Sequence, residues 1–145
     1  MKKIFRKITA LLVAFMFICL CGVNAFAQSY TGSYTSGQYI VNANYSINQR
    51  STSGTVFLTD NRKPMQSTYL SASVAYCYHI MVGGRMMSWT DTETVTKIDD
   101  YEASVSVSDT TIYSMVYATY TFVADIPGIS GAQRHQMEMD TVYYP

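Results

Sequence analysis

From residue 38 onward, apolar and polar residues take turns with a period of two, the signature of half-buried β-strands. In "QYIVNANYSIN" (38–48), Tyr39, Val41, Ala43, Tyr45 and Ile47 share one face, while Asn42, Asn44 and Ser46 share the other. "RSTSG" (50–54) reads as a turn, "TVFLT" (55–59) as a returning strand, and "DNRKP" (60–64) as a break. The longest alternating run is 67–82, where Leu70, Ala72, Val74, Tyr76, Tyr78, Ile80 and Val82 fall on one face. Gly83-Gly84 follows, a dipeptide that accepts the positive φ angles of a two-residue hairpin turn. That turn sets a register: Ile80 faces Met87, Tyr78 faces Trp89 and Tyr76 faces Asp91. Further strands are predicted at 101–108, 111–126 and 134–144, with "PGISGA" (127–132) as a loop. No stretch carries a helical apolar period.

Six to seven antiparallel strands at this spacing predict an all-β fold, either a single antiparallel β-sandwich or a small β-barrel. The strongly polar second face of several strands favours the sandwich, whose outer faces meet water. Segment 28–37, with its S-Y-T-G/S pattern, reads as a flexible N-terminal arm, and 38–145 as one domain.

Residues 1–27 have the form of a signal peptide. Lys2, Lys3, Arg6 and Lys7 precede the apolar "ITALLVAFMFICLCGV", and Ala25-Phe26-Ala27 supplies the small–x–small cleavage pattern. Leu20 before Cys21 is too large for a lipidation site. The chain is therefore expected to be secreted, with no membrane span in the mature portion. Removing the signal changes the charge. Six basic and ten acidic residues remain in 28–145, a formal charge of −4, which argues against nucleic acid as a partner. Cys77 is then the only cysteine, so no internal disulfide can form. Many tyrosines, serines and threonines, with few charged residues, suit pleated sheets better than helices. This composition resembles that of small secreted bacterial proteins, and carries no functional residue with it.

Candidate chemistry is sparse. Cys77 and His79 lie two apart on a strand, too far for the hydrogen bond of a Cys/His catalytic pair, so packing is the simpler role for Cys77. His-x-Met occurs at His79/Met81 and at His135/Met137, with Met139 extending the second and Met86 facing Met81 across the turn. Imidazole and thioether donors suit Cu(I), so these residues form a candidate copper site. Asp91/Glu93 and Asp99/Asp100/Glu102 lack the calcium-loop spacing. Tyr113, Met115 and Tyr117 form a candidate partner-binding strip, because tyrosine gives rigid amphipathic contact area. With no nucleophile or phosphate motif, the expectation is a non-enzymatic secreted module recognising an extracellular glycan, cell-wall or protein partner. Copper handling and an antibacterial or toxin-like role are the alternatives.

Overall fold

The computed structural model describes residues 27–128 and 131–143. The signal segment lies outside them, apart from Ala27. Among these residues, nine strands and no helix form an all-β fold of two packed antiparallel sheets, a β-sandwich rather than a closed barrel. The strands are β1 (Gln28–Ser36), β2 (Tyr39–Ile47), β3 (Ser51–Asp60), β4 (Lys63–Met65), β5 (Leu70–Val82), β6 (Arg85–Lys97), β7 (Glu102–Ser108), β8 (Ile112–Gly128) and β9 (Gly131–Val142). One sheet runs β1-β2-β3, with β3 pairing both β4 and β7, and the other runs β6-β5-β8-β9. Among the described residues, no helix is long and apolar enough to cross a membrane.

The alternation predicts the inward faces. Val41, Ala43 and Ile47 of β2, Val56 and Leu58 of β3, Leu70, Ala72 and Val74 of β5, and Tyr120 and Phe122 of β8 are all fully buried. Outward positions are rich in hydroxyls that pair across strands, as between Ser46 and Ser53 (2.9 Å) and between Thr55 and Ser104 (2.9 Å). At the core's centre the Tyr120 hydroxyl donates to the Ser46 carbonyl (2.8 Å) and meets the Thr52 hydroxyl. Burial pushes the Tyr120 phenol up to about 12. Gly54 lies directly beneath the Tyr120 and Phe122 rings, where a Cβ would come within 2.8 Å of Phe122.

The Gly-Gly hairpin has the predicted register, from Leu70↔Lys97 to Val82↔Arg85. Gly83 and Gly84 both take positive φ (55° and 76°), which a side chain would resist. Three local readings need correction. Residues 28–36 are not a loose arm but an edge strand paired with β2 along its whole length. The turn expected at 50–54 lies earlier, where Asn48 Oδ1 accepts from the Arg50 and Ser51 amides (3.0 and 2.8 Å), and β3 already begins at Ser51. The loop expected at 127–132 is largely strand, because Pro127↔Ala132 and Gly128↔Gly131 continue the β8–β9 ladder.

Candidate functional site

The two flanks of the sandwich are covered to different extents. On one, β1 lies over β9: Tyr34 stacks on His135 (centroids 3.5 Å, 13° between planes), and Met139 packs over Gly32. On the other, β7 packs over β5 and β6. With only 7 residues against 13 in each of those strands, β7 is too short to cover their full length. Here the inward positions of β6 carry Met87, Trp89, Asp91 and Glu93, all exposed.

Where β7 runs out, the gap opens as a cleft of about 360 Å³. Tyr76 and Tyr78 of β5, Asp91 and Glu93 of β6, and Ser106–Ser108 of β7 line it, with Asp109 and Thr111 of the following loop and Ile112 at the start of β8. The two tyrosine rings stack on each other (5.5 Å, 27°) because they are consecutive inward residues of one strand. Asp109 is fixed at the rim by the Thr111 amide (2.8 Å) and hydroxyl (2.9 Å), which hold its carboxyl below the usual range. Tyr76 is 7% exposed and lines the cleft, and its hydroxyl is not among the buried side-chain atoms left without a partner, so it reaches the cleft's solvent. Burial, with Asp91, Tyr78, Glu93 and Asp109 nearby, raises its phenol above the ordinary value. A solvent-reaching phenol at a cleft wall can exchange water for a hydroxyl of whatever enters. No basic side chain lines the cleft. A larger hollow at the other end of the sandwich, about 670 Å³, is lined by the β1–β2 turn and the adjoining ends of β8 and β9, with no charged side chain among its described lining residues.

The residues singled out from sequence fall elsewhere. Met115 is 1% exposed, not part of a strip. Two register shifts against β5 leave Val116 and Tyr113 as extra residues in β8, which turns Met115 into the core opposite Tyr78. Tyr113 and Tyr117 remain exposed but separate: Tyr117 lies on the outer face beside Cys77, and Tyr113 at the strand's beginning. The His-x-Met residues do not converge. His79, with the exposed Met81 and Met86, belongs to the outer face of β5–β6, whereas His135, Met137 and Met139 face inward on β9. His79 sits beside Ser114 and His135 beside Ala124, so roughly 30 Å of strand separates them. Met137 and Met139 pack in and against the core opposite Phe122 and Tyr120. Among the described residues, no three His, Cys, Asp or Glu side chains cluster as metal ligands. Cys77 is half-buried and free.

Sequence inspection reaches Asp91 and Glu93 but not their setting. Asp109 and the Tyr76–Tyr78 pair join them only because β7 folds across β5 and β6. The register Tyr76↔Asp91 was the available clue, since it places a carboxylate beside an aromatic ring on an inward face. No protein-family model matches the chain, and no curated protein is similar to it at a significant level.

Proposed function

We propose that the protein is an exported, non-catalytic recognition module that binds an extracellular glycan in the cleft between β7 and the β5–β6 hairpin. The observation that carries this reading is the union of a stacked tyrosine pair and three carboxylates in one opening between the sheets. A sugar ring presents an apolar C–H face and a rim of hydroxyls. The accessible Tyr78 ring offers the first a surface to stack on, and Asp91, Glu93 and Asp109 accept hydrogen bonds from the second. Bonds to ionised carboxylates are about twice as strong as neutral ones. The cleft volume lies within the ordinary range for small-ligand sites. With no basic group lining it, the field also favours glycans bearing free amines over their N-acetylated forms.

The test is calorimetric titration of the secreted protein with glucosamine oligomers, their N-acetylated counterparts and solubilised cell-wall glycan. Glucosamine oligomers are expected to bind best, and Tyr78→Ala or Asp91→Asn is expected to weaken binding roughly tenfold, on the order of one lost charge-assisted bond or stacking contact. Absence of heat with all three ligands, or variants that bind like the parent, would remove the reading.

A further inference from the structure

The β5–β6 hairpin continues beyond the cleft. β5 pairs with β8 only as far as Ile80↔Ile112, so the ribbon from Met81 to Met86 projects past the rest of its sheet. Three residues of strand rise carry the Gly83-Gly84 turn roughly 10 Å out. Around this tip Met81, Val82, Met86, Met87 and Trp89 are 45–54% exposed. Isolated exposed apolar residues need no explanation, but Met81, Val82 and Met86 share the projecting ribbon, with Met87 and Trp89 at its base.

They also lie on both faces of the ribbon. Met81 and Met86 pair on the outer face, while Val82, Met87 and Trp89 belong to the inner one. A flat protein partner would cover one face and leave the other wet, whereas a lipid surface surrounds a tip from all sides. The charges agree. Arg85 stands at the turn, and Arg50 lines the adjoining hollow with Ile80, Met81, Val82 and Tyr113, a hollow with no acidic residue. The nearest carboxylates, Asp91 and Asp109, belong to the cleft behind the tip.

We infer that the hairpin tip docks the protein shallowly on an anionic lipid surface, with the apolar side chains in the interfacial layer and Arg85 and Arg50 among the headgroups. The projection matches the roughly 5–10 Å depth of interfacial insertion, with Met81, Val82, Met86 and Arg85 entering first and Trp89 at the edge of the layer. Nothing in this inference depends on the glycan reading.

Trp89 is the only tryptophan and stands at the base of the ribbon opposite Tyr78, so its fluorescence reports on this end of the hairpin. The secreted protein would be mixed with vesicles of phosphatidylcholine, and of phosphatidylcholine with phosphatidylglycerol, then followed by emission and co-sedimentation. The expected result is a blue shift and sedimentation with the anionic vesicles, weakened by salt. Met86→Ser/Met87→Ser is expected to lower partitioning at least about tenfold with an unchanged far-ultraviolet spectrum. Arg85→Glu is expected to erase the preference for anionic lipid. Unchanged emission with the protein left in the supernatant would overturn the inference. So would a blue shift that appears without lipid as protein concentration rises, which would mark a second copy as the occupant.

Discussion

The β1–β9 flank and the β6–β7 flank are built from the same alternating pattern and end in opposite states. On β9 the inward residues His135, Met137 and Met139 are roofed by β1, through the Tyr34 ring and the space above Gly32. On β6 the inward residues Met87, Trp89, Asp91 and Glu93 outrun the shorter β7 and stay exposed. Strand length, not residue pattern, decides which flank closes. A closed flank spends its aromatics and methionines on packing, while an open one leaves them for a ligand or a surface. Inward-pointing charges such as Asp91 and Glu93 also discourage β6 from pairing with another sheet edge.

This contrast can be broken from the core outward. Phe122→Ala should destabilise by about 3–5 kcal/mol, read by chemical denaturation, because the ring is fully buried between β2, β3 and β9. Gly54→Ala forces a methyl against the Tyr120 and Phe122 rings, with an expected loss of about 1–3 kcal/mol and a lower melting temperature. Tyr120→Phe removes the hydroxyl that bonds the Ser46 carbonyl and should cost about 1–2 kcal/mol. The same variant sharpens the pH dependence. Tyr120 titrates at about 12 when folded against 10 when free, so its stabilisation is complete below pH 10 and is lost as pH rises toward 12. Melting curves across that window should flatten in Tyr120→Phe. On the closed flank, His135→Ala should cost about 0.5–1.5 kcal/mol through the lost stack on Tyr34. On the open flank, Trp89→Ser should stay within about 0.5 kcal/mol. Equal losses for these last two would erase the distinction between the flanks.

The legible parts of the fold were those governed by local chemistry. Gly83-Gly84 fixes a two-residue turn, and every pair of the hairpin follows from it. The inward faces of β2 and β5 follow from alternation alone. What escaped was set by neighbours. β1 reads as a loose Ser/Tyr/Thr/Gly segment because its tyrosines are only half-covered and its order comes from pairing with β2. The extra residues Val116 and Tyr113 reverse the direction of Met115, and nothing in "TIYSMVYA" marks them. The cleft joins Asp91 of β6 with Asp109, a juxtaposition that exists only once β7 has crossed the sheet.

The most direct measurement is a nuclear magnetic resonance titration of residues 28–145 with glucosamine oligomers. Glycan binding in the cleft should concentrate the shifts at Tyr76, Tyr78, Asp91, Glu93 and Asp109, with Tyr34 and His135 silent. Shifts centred on β1 and β9, or none anywhere, would contradict it.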